Sequence, residues 1–518
     1  MSWFQQQSLP MLYSHILAVG IPCIISLVAA FRLTRKRAYP LPLPPGPPGL
    51  PFLGNALELD TKRPWLTYHA WGKKYGKIVY TRVLGIDMII ISSEAIAREL
   101  LDRRSAIYSS RPVIPTNEMT GLAFNTVLLP YGETLKQHRR IFHQVLRVEA
   151  SVSYYEMYSR HANELVINLL NATGDLQEPA QVYTASLIMA VTYGHKARGR
   201  DDPFLDPAQE LLEIAKHLLS PERAAMFTAF PLLAKLPSWC FRGAYSLMGR
   251  CRELAQKLLK EPFNEVRAQM ANGTATQSLV ADFLSQSDNK ADEETMRAVA
   301  LMIYIGGIDT SSSALLIFLI AMILYPDVQA RARAEIDQVV MHDKMPSLDD
   351  RPSLPYLDAI FREVLRWQSP IPLGMSHATT ADDVYEGYFI PKGTAVMVNQ
   401  WSLSRDEDVY PDAERFDPTR HLTADGKLKG SFVNHFAFGH GRRTCPGRFF
   451  AENSLWTAMA AILAVLRIDH AKDSNGNKIE VKLEMTAGMV IRPQPFRYSF
   501  EVVNSAREAQ LQAMMNSK

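Results

Sequence analysis

Ten consecutive residues near the carboxyl end of the chain carry the sharpest chemical pattern in the sequence. They read Phe-Gly-His-Gly-Arg-Arg-Thr-Cys-Pro-Gly and run from Phe438 to Gly447. Cys445 stands directly before a predicted helix, and the partial positive charge and free amides of a helix N-terminus stabilise a thiolate. Pro446 suits the first turn of that helix. The pattern therefore predicts that Cys445 is a thiolate ligand.

The other residues of this segment suit a flat ligand that lies against the sulfur. Glycine has no side chain, so Gly439 permits a tight turn and Gly447 permits close approach of the ligand. Phe438 would cover one side of the sulfur and limit access of water. Arg443, two residues before the cysteine, could reach an acidic group of the ligand.

Three other interpretations of the segment compete with this one. A lone cysteine before a helix is, in isolation, more commonly a buried thiol. A zinc site needs more cysteine or histidine at tight spacing, and only His440 is near. A phosphate-binding loop needs Gly-Lys-Ser/Thr, which this segment lacks. The coincidence of Phe, Gly, Arg and Cys within ten residues favours the thiolate ligand.

A second segment places polar residues in the middle of a long apolar run. Residues 298–325 contain one charge, Asp309, which is followed by Thr310 and preceded by Gly306 and Gly307. By hydropathy this run could cross a membrane, but two glycines, an acid and hydroxyl groups are costly when they face lipid. They suit a central helix that passes close to a cofactor, where polar side chains hold water and relay protons.

The amino-terminal residues predict a membrane anchor. Residues 11–31 carry no charge, and about 20 helical residues span the roughly 30 Å hydrocarbon layer. Four basic residues follow between positions 32 and 37 and none precedes the run, so the positive-inside rule places the remainder in the cytosol. A cleaved signal peptide would carry its charges before the apolar run. We expect a lumenal segment (1–10), a transmembrane anchor (11–31), a basic and proline-rich linker (32–51) and a catalytic domain (52–518).

Composition excludes several classes of protein. A net charge of +3 over 518 residues, without a Lys/Arg stripe carrying interleaved aromatics, argues against nucleic-acid binding. Four cysteines are too few for a secreted disulfide scaffold and indicate a reducing compartment. Asn171 and Asn272 begin glycosylation sequons, which matter only if the domain is lumenal. The length alone favours two or more domains.

Periodicity predicts a mostly helical chain with small sheets at either end. The expected strands are a hairpin formed by residues 78–84 and 88–91, strand and turn character over 384–399, and short strands over 481–503. Helical patterns dominate from 134 to 325 and continue over 355–367 and from 447 to about 466. Glu363 and Arg366 share one face of a helix, where an ordinary surface ion pair is one interpretation.

The cysteine segment resembles the haem-binding signature of the cytochrome P450 superfamily, Phe-Gly-x-Gly-x-Arg-x-Cys-x-Gly, at every defined position. The run that contains Asp309 and Thr310 resembles that family's Ala/Gly-Gly-x-Asp/Glu-Thr motif, and Glu363-Val-Leu-Arg366 resembles its Glu-x-x-Arg motif. The resemblance extends over essentially the whole chain. It implies a single mainly α haem domain with a minor β region, with Cys445 binding the iron of protoporphyrin IX.

Further residues gain a role only through this resemblance. Residues 416–420 resemble the family's Pro-x-Arg element, which makes Arg420 the third member of a buried cluster with Glu363 and Arg366; His421 replaces the usual aromatic, and Arg415 is a competing candidate. Residues 131–140 resemble the Trp-x-x-x-Arg element that binds a haem propionate. In that element Arg139 keeps the guanidinium, Leu135 replaces the tryptophan, and His138 either compensates or is an exposed helix residue. His377 stands where the family often has a propionate-binding Arg or His; it either binds a propionate or is an ordinary strand residue.

The resemblance also implies the pocket and the partners. The expected pocket residues are 125–127, Met302, Ile303, Gly306, 371–373 and 486–489, which are mostly apolar and are otherwise ordinary core positions. Lys136, Arg140 and Arg442 would meet an acidic reductase, or they form a solvated charged face. The implied partners are an NADPH-dependent flavoprotein reductase, a b-type cytochrome, membrane lipid and an apolar small molecule.

The implied activity is a monooxygenase that hydroxylates or epoxidises its substrate, with Asp309 and Thr310 handling protons. The setting of Glu386-Gly-Tyr-Phe-Ile-Pro-Lys-Gly393 most resembles fungal members that act in secondary metabolism or on xenobiotics, and the family's usual place is the endoplasmic reticulum membrane. Two alternatives stay open. Some members rearrange peroxides without a reductase, and a haem-binding membrane protein need not be an enzyme. Turnover that depends on NADPH and reductase separates the three.

Overall fold

The structure is a computed structural model that describes residues 39–51, 53–114, 116–197, 202–218, 244–286, 293–432 and 435–516. The expected transmembrane anchor, residues 11–31, lies outside these ranges, as do Cys23 and Cys240.

Helices form most of the described chain. They are α1 (Pro64–Tyr75), α2 (Glu94–Ala97), α3 (Ser105–Tyr108), α4 (Thr116–Met119), α5 (Glu133–Leu146), α6 (Val148–Val152), α7 (Tyr155–Leu170), α8 (Gln177–Tyr193), α9 (Leu205–Leu218), α10 (Ala244–Ala271), α11 (Leu279–Ser285), α12 (Glu293–Leu324), α13 (Pro326–Val339), α14 (Pro355–Trp367), α15 (Gln400–Leu403), α16 (Arg448–Val465) and α17 (Ser505–Asn516). A π-helix, Arg98–Arg103, continues α2. The mainly helical character that the sequence predicts is confirmed.

The strands form three small sheets. They are β1 (Ile78–Val83), β2 (Ile86–Ile91), β3 (His377–Ala378), β4 (Asp383–Tyr385), β5 (Tyr388–Ile390), β6 (Ala395–Val398), β7 (Leu466–Asp469) and β8 (Ser499–Val502). The largest sheet has the order β1-β2-β6-β3, with β2 parallel to β6 and the other pairs antiparallel. This order places β6 between the amino-terminal hairpin, which the sequence predicts, and β3, the strand that carries His377.

The expectation of several short strands over 481–503 is wrong for most of that stretch. The described chain has only β8 there, together with an isolated bridge between Met485 and Pro493. Proline has no backbone N–H to donate to a ladder. Pro493 takes part in the bridge, but neither Pro493 nor Pro495 can donate a ladder hydrogen bond, which limits the pairing that the apolar residues around them would favour.

Helix α12 lies at the centre of the core. Within the described residues it is the one helix long and apolar enough to cross a membrane, yet 78% of that apolar window is buried inside the protein. It packs against α8, and a Cβ placed on Gly307 would lie 2.4 Å from Cδ1 of Ile188. Gly307 therefore leaves room for the Ile188 side chain between the two helices.

An ion cluster built on a fully buried Glu363–Arg366 pair fixes α14 to the chain that follows α15. Both Arg366 Nη2 and Nε donate to the Glu363 carboxylate at 2.7 Å, and neither side chain is exposed to solvent. Arg420 Nε lies 3.0 Å from Glu363 Oε1, and His421 Nε2 lies 2.8 Å from Oε2. Burial alone would raise the pKa of Glu363, but hydrogen bonds from Arg366 and His421 hold that pKa below its usual range.

The structure distinguishes between the two candidates for the third member of this cluster. The side chain of Arg415 is exposed, and only its backbone carbonyl takes part, by accepting from Arg366 Nη2 at 3.1 Å. Arg420 bonds the carboxylate directly. His421, which the sequence presents only as a departure from the family pattern, is a further partner of Glu363.

Removing the carboxylate should destabilise the fold because it leaves Arg366 buried without a counter-charge. Breaking a buried ion pair costs about 3–5 kcal/mol, so Glu363→Gln should lower the urea midpoint of unfolding markedly. Arg250→Gln is the control, because it removes one partner of the exposed Arg250–Glu210 pair at 2.7 Å and should shift the midpoint far less. Equal midpoints for the two variants would contradict a stabilising role for the cluster.

Candidate active site

The loop before Cys445 is held by backbone geometry that favours glycine. Gly439 has φ 75° and Gly441 has φ 60°, and both values lie in the left-handed region. A Cβ on Gly441 would lie 1.9 Å from the Leu101 carbonyl oxygen, so this loop packs backbone to backbone against the π-helix. The Cys445 N–H donates to the Phe438 carbonyl at 2.8 Å, which closes the turn directly before α16.

Cys445 is a half-buried thiol in a partly cationic setting. Burial raises the pKa of the thiol, while the Gly447 amide and the charges of Arg139 and Arg448 act in the opposite direction without overcoming it. Burial therefore opposes the thiolate form of Cys445 that the sequence predicts as the ligand. A metal cation deprotonates a thiol that coordinates it, so a bound iron would supply the missing stabilisation.

Two arginines beside this loop donate to backbone carbonyls alone. Arg443 donates to the carbonyls of Ser109 at 2.7 Å and Leu129 at 2.6 Å. Arg111 donates to the carbonyls of Val127 at 2.8 Å and Ser376 at 2.7 Å. Within the described ranges neither arginine forms an ion pair, and the two guanidinium groups repel each other.

Burial and mutual repulsion destabilise these charges in the protein alone. Burial, aided by the charge of Arg443, lowers the pKa of Arg111 to about 9. Burial, aided by the charge of Arg139, lowers the pKa of Arg443 to about 10. His377 lies on β3 with Nδ1 2.8 Å from the Tyr108 carbonyl, and burial together with Arg111 holds its pKa well below the usual range. A cluster of this kind fits an acidic ligand.

The sequence does not predict a role for Arg111, because no local motif contains it. Its partners are the carbonyls of residues 127, 375 and 376, which are distant in sequence. The structure brings it together with Arg443 and His377, two residues that the sequence did single out.

Helix α5 carries the residues that resemble the propionate-binding element. Arg139 Nη1 donates to the Thr444 carbonyl at 2.7 Å, which places the guanidinium directly beside the cysteine loop. Leu135, in the place of the family's tryptophan, is buried. The interpretation of His138 as an exposed residue is wrong: it is buried, with Nδ1 2.7 Å from Thr126 Oγ1.

The central helix presents an open position one turn before Thr310. A Cβ on Gly306 would meet no atom within 4 Å, unlike one on Gly307. Thr310 Oγ1 donates to the Gly306 carbonyl at 3.0 Å, so the hydroxyl bonds back along its own helix. Its lone pairs are free to accept from water or ligand. Helix α12 packs against both α5, which carries Arg139, and α16, which follows Cys445.

The Asp309 side chain, which the sequence predicts to hold water, contacts two side chains of the protein. Lys216 Nζ of α9 lies 2.8 Å from Asp309 Oδ2, and Gln181 Nε2 of α8 donates to Oδ1 at 3.3 Å. The carboxylate is buried, whereas the lysine side chain is 15% exposed. The pair therefore connects the central helix to the edge of the solvent.

The expected pocket residues are only partly apolar core. Met302 and Ile303 are buried on α12, whereas Ile371 and Leu373 are half-buried and Met489 is exposed.

These features fit haem. A half-buried cysteine, arginines that lack a carboxylate partner within the described residues and a glycine that faces open space would supply a sulfur ligand, partners for propionates and room for a flat ring. Glu363, Arg366 and Arg420 lie in the separate ion cluster described above.

Comparison with known proteins agrees with this fit. The cytochrome P450 family model matches residues 44–500. The chain is 37% identical to cytochrome P450 monooxygenase 105 of Postia placenta over 512 residues, covering 96% of this chain and 97% of that protein. It is 33% identical to cytochrome P450 monooxygenase COX1 of Coprinopsis cinerea, covering 94% and 98% of the two chains. It is 34% identical to cytochrome P450 monooxygenase ple1 of Rhodocybe pseudopiperita, covering 91% of each. The chain therefore belongs to the cytochrome P450 family and is a haem-thiolate monooxygenase that receives its electrons from a reductase.

Proposed function

We propose that Cys445 is the sulfur ligand of the haem iron and that the enzyme hydroxylates or epoxidises an apolar small molecule, in secondary metabolism or xenobiotic oxidation. The bound haem supplies dioxygen activation and oxygen insertion, and its thiolate ligand favours O–O cleavage. The observation that carries the proposal is the half-buried Cys445 thiol beside arginines whose partners, among the described residues, are backbone carbonyls. NADPH is the proposed electron source, through a flavoprotein reductase.

The residues around Cys445 would hold the haem. Arg111, Arg139 and Arg443 would bind the propionates through charge-assisted hydrogen bonds, which are stronger than bonds between neutral groups. With Nδ1 donating to the Tyr108 carbonyl, a neutral His377 has no second N–H. A propionate next to Nε2 would favour protonation of the ring and raise its pKa.

The residues of α12 would handle protons. The Thr310 hydroxyl donates to the Gly306 carbonyl and so can accept from a water molecule on the open side of the helix. Asp309 would pass protons to this water, and its partner Lys216 would connect it with solvent. Loss of the hydroxyl would disturb proton delivery without removing any group that holds the haem.

Cys445→Ala should abolish the red-shifted ferrous-CO Soret band that thiolate ligation produces, because no other sulfur would reach the iron. Cys251→Ala is the matched control: this thiol is buried on α10 and burial raises its pKa to about 11, so the band should persist. A normal band in the Cys445 variant would remove the central assignment.

Thr310→Ala should retain haem and consume NADPH, yet form several-fold less product and release hydrogen peroxide, because the protonation that leads to oxygen insertion fails. Ser313→Ala is the matched control. Ser313 Oγ makes the same bond to the carbonyl four residues earlier, Asp309 O at 2.6 Å, but it is buried. The measurement is product formed per NADPH consumed. If the two variants share one ratio, Thr310 acts only within its helix.

We further propose that residues 11–31 anchor the protein in the endoplasmic reticulum membrane and that the catalytic domain, residues 52–518, faces the cytosol behind the linker 32–51. The structure provides reporters for this topology, because both sequon asparagines, Asn171 and Asn272, are exposed.

Neither asparagine should be glycosylated in the native protein, and protease added to sealed microsomes should digest the chain beyond about residue 37. A variant that carries a cleavable signal peptide in place of residues 1–31 is the control, since it sends the same domain to the lumen, where both sequons should be modified. Glycosylation of the native chain would exclude the cytosolic topology.

A further inference from the structure

Arg448, the first residue of α16, lies against the cysteine loop and is not among the residues proposed to bind the propionates. Its Nη1 donates to the Cys445 carbonyl at 3.1 Å, and its guanidinium lies 4.2 Å from the centre of the Phe449 ring. Its Nε is buried and has no hydrogen-bond partner. The side chain is therefore held over the loop that contains the sulfur instead of extending into solvent.

The charge of Arg448 is not neutralised by a contacting carboxylate. Glu452 stands four residues further along α16, the spacing at which a helix pairs opposite charges. Its Oε1 instead accepts from Arg351 Nη2 at 2.7 Å, and Arg351 also pairs with Asp358. Within the described part of the chain Arg448 forms no ion pair. Glu452 thus acts on Arg448 only from a distance.

The sulfur is the anion that this charge reaches. Burial lowers the pKa of Arg448, and the field of Cys445 opposes that effect. The field of Arg448 in turn favours the Cys445 thiolate. Arg448 Nη1 contacts the carbonyl of Cys445 itself, so the guanidinium lies beside the residue that carries the sulfur, and Coulomb interactions near a protein surface exceed those in water several-fold.

We propose that Arg448 raises the reduction potential of the haem by placing a positive charge beside the Cys445 thiolate. This inference rests on the proposed ligation by Cys445. Reduction adds one electron to the iron–sulfur unit without removing a charge, so a fixed neighbouring cation stabilises the reduced state more than the oxidised state. Charge and hydrogen bonding near a metal ligand are established means of tuning a redox centre.

This role differs from that of the exposed basic residues. Arg442 lies in the same loop but is exposed, and its guanidinium stacks near Tyr131, with 5.2 Å to the ring centre. Solvent screens an exposed charge far more than a buried one. Loss of Arg442 can therefore weaken association with a reductase, whereas loss of Arg448 should change the haem itself.

The test measures the haem reduction potential of the purified full-length holoenzyme by anaerobic titration with dithionite and indicator dyes, with no reductase present. Arg448→Gln and Arg448→Met remove the charge, and each should shift the reduction equilibrium roughly tenfold toward the ferric state, which is about 59 mV for one electron. Arg448→Lys keeps the charge and should restore most of the potential. Arg442→Gln is the matched control and should leave it unchanged.

Two results would overturn the proposal: unchanged potentials in the charge-removing variants, or an equal fall in Arg448→Lys, which would assign the effect to guanidinium geometry. The two neutral substitutions provide independent tests if one of them fails to incorporate haem. The ferrous-CO band is recorded for every protein. A thiolate-type band in all of them with unchanged potentials refutes only Arg448, whereas a band that persists in Cys445→Ala refutes the ligation on which this inference rests.

Discussion

Positive charge that the described part of the chain does not neutralise is the constraint around which this site is built. Arg111 and Arg443 each donate hydrogen bonds to several backbone carbonyls, and Arg139 donates to the carbonyl of Thr444, the residue before Cys445. Carbonyl dipoles fix the direction of a guanidinium, but they do not cancel its charge. The depressed pKa values of Arg111 and Arg443 express the cost of that arrangement. A thiolate and two propionates would supply the missing negative charges, so the binding of haem completes the electrostatics of the fold.

The cluster around Glu363 shows the opposite treatment of buried charge. There a carboxylate receives hydrogen bonds from Arg366, Arg420 and His421, and every partner belongs to the chain itself. Arg366 then uses its remaining donors on the carbonyls of Ser404 and Ala413, so the cluster fastens one helix to an irregular segment. A buried polar network whose charges are paired within the chain rigidifies the fold. A cluster of cations without paired anions instead favours the binding of an anionic ligand. The pairing of charges therefore distinguishes the structural cluster around Glu363 from the arginines of the candidate active site, independently of any similarity to known proteins.

The sequence predicts well what depends on neighbours along the chain. The helix that contains Glu363 and Arg366, the central helix and the hairpin of β1 and β2 all follow from local periodicity. Contacts between distant segments could not be predicted in this way. The burial of His138 beside Thr126 and the pairing of Lys216 with Asp309 each depend on how separate elements pack. The strands expected over 481–503 fail for a local reason, since prolines limit the pairing that hydrophobicity alone would favour.

The adjacent glycines of α12 show how one motif serves both packing and chemistry. Gly307 leaves room for the Ile188 side chain of α8, which packs against the central helix. A Cβ at Gly306 would meet no atom within 4 Å, so the same turn of the helix leaves an open position, or window, beside Gly306. Thr310 bonds back to the carbonyl of Gly306 and thereby holds its hydroxyl at the edge of that window. Because one face is locked by packing, the open face is held in a fixed position relative to α5 and α16, the helices that flank the cysteine loop. The packing of α12 against α8 at Gly307 therefore helps to position the Thr310 hydroxyl.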